Sequence, residues 1–325
     1  MTPDDLEREP AFALLAPGFF DDGRWRRFHV AAGGDAALWL APYEGRPTRV
    51  SGRLEVIDMS FAGAPPPAAA LDDARFEAGV GRIRERIAAG DVYQVNLTVR
   101  ARLDGLSGAG LLSRLCARAA PRFAAWVRLP GLGELVSASP ELLVETRARR
   151  VHAEPMKGTA PVGQRAALLA SVKDEAELAM ITDLTRNDLQ QLCVRGTVRV
   201  TAPRRLVELP YVLQAVSDVE GELREGVTID DVLRVMHPGG SVTGAPRPAA
   251  MALIAELEPT ARRFYCGTLG VETTTGFRAA LLIRTATHVD GGWEYGVGSG
   301  ITWDSVPAAE LAEVRLKLGA LAQSG

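Results

Sequence analysis

The spacing of hydrophobic and polar positions changes period several times along the chain. Residues 25–41, "WRRFHVAAGGDAALWLA", alternate around a Gly-Gly pair, which predicts two short strands joined by a turn. From 74 to 89 the period lengthens. Phe76, Val80, Ile83 and Ile87 fall three or four apart and predict a helix that Gly90 ends. "VYQVNLTVRARL", residues 92–103, returns to alternation, is rich in β-branched residues, and predicts a strand with Tyr93, Val95, Leu97 and Val99 on one face. A helix follows near 109–119, then strands through "FAAWVRL" and "ELVSASPELLVETRARRVHAE", the second interrupted at Pro140. Residues 174–193 show a helical stripe of Ala176, Met180, Ile181 and Leu184. Beyond it the pattern predicts strands at 196–201, 206–208 and 212–222, helices at 228–236 and 245–257, strands at 265–272, 278–288 and 293–297, and a last helix over 307–322.

Strands come in runs rather than alternating regularly with helices. That predicts an α+β fold with antiparallel sheets and argues against a doubly wound one. "FAGAPPPAAALDD", residues 61–73, is a Pro/Ala-rich connector. It divides a short, strand-rich N-terminal segment, 1–60, from the main body, 74–325.

Composition removes several classes of function. The 325 residues carry a net charge of -3, so there is no basic footprint for nucleic acid. No apolar run approaches the roughly 20 residues that span a bilayer. The first ten residues are acidic and polar, unlike a secretory signal. Cys116, Cys193 and Cys266 are far apart, which fits a reduced, cytoplasmic protein rather than a disulfide or zinc framework.

Candidate chemistry gathers in a few stretches. In "EPMKGTAP", Gly158 permits a tight turn while Pro155 and Pro161 stiffen the flanks, so the segment is expected to be a loop that fixes the Lys157 amine. Alone, it reads first as a solvated surface lysine. Asp174 and Glu177 are three apart on one predicted helix, and Glu310 and Glu313 on another, with Lys317 four beyond. Two such faces suit a hard cation such as Mg²⁺, and they also suit two solvated helices with ion pairs. Gly239, Gly240, Ser241, Thr243 and Gly244 precede a helix start near Pro246, an arrangement that favours anions without implying a nucleotide. Gly296, Gly298 and Gly300 follow a strand. Arg284, mid-strand among apolar residues, calls for an anionic partner from protein or ligand.

Eight segments carry a resemblance in one order: "GDVYQVNLT", "SASPELLVE", "EPMKGTAP", "KDEAELAMITDLTRNDL", "HPGGSVTGAPRPAAMALIAELEP", "YCGTLG", "IRT" and "GSGITWDSVPAAELAEVRLKL". Together they resemble the chorismate-utilising enzymes, and within them the large subunits of aminodeoxychorismate synthases. The resemblance implies a chorismate-binding α+β fold with a β-sandwich core and helices outside. It implies amination of chorismate at C4, for p-aminobenzoate synthesis, through a covalent Lys157 adduct at C2. Glu141 of "SPE" would protonate the leaving hydroxyl. Glu177 and Glu313 would hold Mg²⁺, with Asp174 and Glu310 supporting through water. Thr159, Ser241, Thr243, Gly244, Tyr265, Arg284, Gly298, Gly300 and Lys317 would bind substrate.

Family members that make anthranilate, isochorismate or salicylate carry alanine at the position of Lys157. The isochorismate and salicylate synthases carry a water-activating lysine at the position of Gln94. The histidine of anthranilate synthases falls on the stretch of Tyr211 and Gln214. Leu178 and Arg247 also depart from the family pattern. Ammonia is expected from a separate glutamine amidotransferase subunit, and the short N-terminal segment leaves no tryptophan-binding regulatory site to be expected. The alternatives are an anthranilate synthase component I-like enzyme and a catalytically silent chorismate-binding homologue.

Overall fold

The computed structural model describes residues 1–61, 71–118, 121–208 and 212–322. In chain order the elements are β1 (Phe12–Leu15), β2 (Trp25–Val30), β3 (Ala36–Ala41), β4 (Thr48–Ile57), α1 (Asp73–Ala88), β5 (Gln94–Leu103), α2 (Gly108–Arg118), β6 (Phe123–Leu129), β7 (Gly133–Ser139), β8 (Leu142–Arg147), β9 (Arg150–Ala153), β10 (Met156–Pro161), α3 (Arg165–Ala170), α4 (Val172–Gln190), β11 (Arg199–Glu208), β12 (Val212–Glu222), α5 (Ile229–Met236), α6 (Gly240–Thr243), β13 (Gly244–Ala245), α7 (Arg247–Leu257), β14 (Thr268–Thr273), β15 (Gly276–Leu281), β16 (Thr285–Val289), β17 (Gly292–Ile301) and α8 (Pro307–Ala322). Residues 62–70 of the expected connector, and Tyr211, lie outside the described residues. Among the described residues no helix is long and apolar enough to cross a membrane.

Pairing among the described strands is antiparallel throughout and forms two arms. One runs β13–β5–β17–β16–β7–β6–β1–β2. The other runs β4–β3–β14–β15–β8–β9–β12, with β10 and β11 both on β12. The β2–β4 pair joins them, so the first strands are woven into the same sheet as the rest. Leu15, Phe123 and Val127 of the first arm pack with Leu38, Leu269 and Val271 of the second, so the arms face each other across a shared core. Helices cover the outside. Phe76, Val80 and Ile83 of α1, Leu253 and Ile254 of α7, and Leu311 and Val314 of α8 share a second core with Val95 and Leu97 of β5.

Four expectations need correction. "EPMKGTAP" is not a loop: it forms β10, and the expected turn is a bulge where the register with β12 shifts between Met156 and Thr159, with Gly158 at φ 84°. Residues 196–208 hold one strand rather than two, because β11 bulges on either side of Ala202 and so passes Pro203, which has no N–H to give. The strand expected over 278–288 is two, β15 and β16, broken at Arg284, whose φ is 50°. The buried run Phe12–Leu15, strand β4 and the short α3 were not expected, since a run of four apolar residues carries no period.

The outer edge of β5 is finished by side chains. The two-residue β13 covers Gln94 and Val95. Beyond it, Arg262 donates to Asn96 O at 2.6 Å, and Glu258 accepts from Thr98 N at 2.9 Å. Glu258 pairs with both Arg262 (2.6 Å) and Arg100 (3.1 Å), and its side chain is 4% exposed. Arg262 also donates to Val242 O at 2.6 Å, fixing the turn of α6. Removing the carboxylate leaves two guanidinium groups buried together. Glu258→Ala is therefore expected to lower the unfolding free energy by about 3–5 kcal/mol, measured by urea denaturation; a loss under about 1 kcal/mol would show that the arginines do not depend on it.

Candidate active site

Strands β5, β10, β13 and β17 and helices α4, α6 and α8 supply most of the residues singled out by sequence, while Glu141, Tyr265 and Arg284 lie in the segments between strands. Gly158 brings the first two groups together. A Cβ there would stand 3.0 Å from the Cβ of Asp174, so the bulge lets α4 approach β10 closely. Lys157, one residue earlier, has a side chain only 14% exposed, and its Nζ lies 4.0 Å from Glu177 Oε2. Gly300 of β17 leaves room opposite. A Cβ on it would lie 2.4 Å from Gln94 Nε2 and 3.0 Å from Lys157 Nζ, so the amide and the amine converge on one point.

Burial pushes the Lys157 amine below its ordinary pKa; Lys317 adds to the fall, while Glu177, Glu141 and Glu313 oppose it. Glu141 follows Pro140 in the gap between β7 and β8. Its backbone is held by Ser139 Oγ (3.2 Å, to Glu141 N) and by Leu281 N (3.2 Å, to Glu141 O). Its Oε1 accepts from Ser241 Oγ at 2.8 Å. Burial raises the Glu141 carboxyl to about 7, against the Ser241 hydrogen bond and the Lys157 charge. The amine and the acid are thus both pushed toward their neutral forms.

The acid pairs on α4 and α8 meet. Lys173 Nζ lies 3.9 Å from Glu177 Oε1 and 3.7 Å from Glu310 Oε1. Glu310, 3% exposed, also accepts from Ser305 Oγ at 2.6 Å. Glu313 pairs with Lys317 at 2.6 Å, and Lys317 donates to Gly298 O at 2.9 Å. The Glu177 pKa is raised by burial and, further, by Asp174 and Glu313, against Lys157 and Lys173. Crowded carboxylates on two helices are an all-oxygen, hard donor set that fits Mg²⁺. Here Lys157, Lys173 and Lys317 stand among them. The one group of three His, Cys, Asp or Glu ligand atoms within 4.8 Å of one another among the described residues is elsewhere, at His152, Glu154 and Asp218. Arg205 already pairs with both of those acids, and Arg122 with Glu154.

Around the residues expected to bind substrate, β16 pairs with β17 only as far as Tyr295. Counting by alternation from the Val289–Gly292 pair, the N–H groups of Gly298 and Gly300 face the uncovered part of that edge. Arg284 is half-buried and, among the described residues, its guanidinium has no ion pair or hydrogen bond. Its left-handed backbone is a conformation that a non-glycine residue adopts at some cost. Ser241 is engaged with Glu141. The Thr243 hydroxyl turns back onto the carbonyls of Gly239 (3.1 Å) and Gly240 (3.3 Å). Gly244, at φ 140°, crosses β5 so tightly that a Cβ would meet Gln94 O at 2.1 Å. Tyr265 is buried against Gly296, with Arg100 over its ring at 5.3 Å. Thr159 is exposed and accepts from Gln214 Nε2 at 3.5 Å. The carbonyl oxygens of Gln94 and Gln214 are buried and have no partner among the described residues. Sequence reasoning missed Lys173 and Ser305; the spacing of Lys173 four before Glu177 was the available signal.

A model of the chorismate binding enzyme family matches residues 58–323. The chain belongs to that family. It is 39% identical over 258 residues to anthranilate synthase component 1 of Aeropyrum pernix, covering 76% of this chain and 58% of that protein. It is 37% identical over 243 residues to aminodeoxychorismate synthase component 1 of Escherichia coli, covering 71% of this chain and 53% of that protein. The chain therefore spans little more than half the length of these relatives. Anthranilate synthase component I from Streptococcus pneumoniae superposes with a TM-score of 0.78 at 21% identity, over 97% of this chain and 91% of that one, a likeness of fold.

The geometry of this family member makes two outcomes testable. The folded pKa of Glu141, about 7, lies above the unfolded value of 4.5, so the fold binds the proton more tightly. Stability relative to Glu141→Gln should then fall as pH rises from about 4.5 to about 7 and stay level above, read from paired thermal melts. A constant difference in melting temperature across that range would mean the carboxyl is not buried as an acid. Arg284→Ala should raise KM for chorismate at least about tenfold with little change in melting temperature. A structural role would reverse the two.

Proposed function

We propose that this enzyme replaces the C4 hydroxyl of chorismate with an amino group, as an aminodeoxychorismate synthase component I does. The observation that carries the reading is Lys157: buried, driven toward the free amine, and beside a carboxylic acid driven toward its protonated form. In the first displacement the Lys157 nitrogen bonds to C2, the ring double bonds shift, and the C4–O bond breaks. Glu141 supplies the proton, so hydroxide leaves as water. In the second, ammonia bonds to C4, the double bonds shift back, and the lysine leaves as an amine. The new ammonium returns one proton to Glu141. The balance is chorismate and ammonia in, 4-amino-4-deoxychorismate and water out. Mg²⁺ held by Glu177 and Glu313, with Asp174 and Glu310 behind them, would supply a positive centre for the ring carboxylate. Arg284, Lys317 and the N–H groups of Gly298 and Gly300 offer the remaining donors for the substrate's two carboxylates. Ammonia is proposed to come from a glutamine amidotransferase subunit.

The rival reading is anthranilate formation, favoured by the names of relatives such as the Aeropyrum pernix protein. Against it stands Gln214, a neutral amide that cannot take the proton that elimination of pyruvate must release. Gln94 disfavours hydration at C2 for the same reason.

The deciding experiment incubates the purified protein with chorismate, Mg²⁺ and an ammonium salt and reads the product by mass. The aminated product with its enolpyruvyl group intact is expected; anthranilate as the main product would overturn the proposal. Lys157→Ala should lower turnover by about a thousandfold or more while leaving the fold intact by circular dichroism. Turnover within about tenfold of wild type would remove Lys157 as the nucleophile.

A further inference from the structure

We propose that Lys173 is a tethered counter-cation, seated between Glu177 and Glu310 until a divalent cation displaces it. The inference rests on reading those carboxylates as the cation site. Among the described residues, the Lys173 ammonium is the one cation within ion-pair distance of carboxylates on both α4 and α8. Its two contacts, 3.9 and 3.7 Å, are too long for hydrogen bonds. It therefore sits as a shared counter-ion rather than a docked ligand.

Glu310 shows why such a cation is needed. Its side chain is 4% exposed, its Oε1 accepts from Ser305, and Lys173 is its sole ion-pair partner among the described residues. A buried carboxylate without a compensating charge is strongly unfavourable. Lys173 itself is free to leave. Its side chain is 54% exposed, whereas that of Lys157 is 14% exposed. A four-carbon stem lets the ammonium swing into water without unpacking either helix. A divalent ion held by Glu177 and Glu313 would bring twice the charge to Glu177, with Glu310 behind it, and would repel the ammonium across that one shared carboxylate. Lys173 thus holds the two helices together before the metal arrives and sets the concentration at which the metal can enter.

The test is Lys173→Met, which keeps most of the stem and removes the charge. Mg²⁺ is titrated calorimetrically into each protein, without chorismate and at fixed ionic strength. The dissociation constant should fall at least about threefold in the variant. In EDTA the variant should melt below wild type, and saturating Mg²⁺ should close that gap. Arg315→Ala is the charge control: Arg315 is on α8 but pairs with Asp73, outside the cluster. It should leave the Mg²⁺ constant within about twofold. An unchanged or weaker Mg²⁺ affinity in Lys173→Met overturns the inference, as does equal tightening by Arg315→Ala. Absence of Mg²⁺ binding by wild type overturns both the inference and the cation assignment, while the product assay judges the amination reading separately.

Discussion

A lysine ammonium and a carboxylate each lose several kcal/mol of hydration when buried alone, and this molecule buries one of each within electrostatic reach of the other. Lys157 and Glu141 are close enough to influence each other's ionisation, yet burial dominates both. Much of the surrounding structure serves to keep that arrangement in place. The bulge at Gly158 brings α4 against β10, Gly300 leaves space for the amine, and Ser139, Ser241 and Leu281 hold the acid from three directions. The neutral forms favoured by burial are the reactive ones: a free amine attacks carbon, and a protonated carboxyl donates to a leaving oxygen.

The positive and negative charges are sorted by depth. The arginines of the Arg100–Glu258–Arg262 network are held by backbone carbonyls, the Thr98 hydroxyl and one carboxylate, and they finish the outer edge of β5. Arg284 makes no such commitment among the described residues. An arginine with a planar fork, a strained backbone and no protein anion is suited to a carboxylate arriving from outside. The network and Arg284 therefore divide two tasks that sequence alone cannot separate, since all three arginines lie beside apolar residues in the chain.

Local period made much of the architecture legible. "FAAWVRL" forms β6 as expected, and the apolar stripe at Phe76, Val80 and Ile83 is the buried face of α1. The paired acids on α4 and α8 were visible because a helix turns spacing into position. What stayed hidden depends on neighbours. The bulge in β10 is defined by its register with β12, and the break at Arg284 by the sharp turn between β15 and β16. Ser241 read as a ligand-binding hydroxyl because nothing local reveals that Glu141, a hundred residues away, lies 2.8 Å from it. Lys173 likewise acquires meaning only when α8 is placed beside α4.

The fold itself carries little of the choice of product. A solved anthranilate synthase component superposes on this chain at a TM-score of 0.78 although only 21% of residues are identical. Sheets and helices can therefore be kept while most side chains change. What can change without moving a strand is the polar end of a single buried side chain. Gln94 and Gln214 are buried amides whose carbonyl oxygens have no partner among the described residues. An amide accepts and donates hydrogen bonds but does not take up a proton near neutral pH. Gln94 stands beside Lys157 across Gly300, and Gln214 reaches Thr159, so both amides add polar contacts without adding a base. Under that constraint, the groups there that can exchange protons are the lysine and the acid, both of which burial pushes toward their neutral forms.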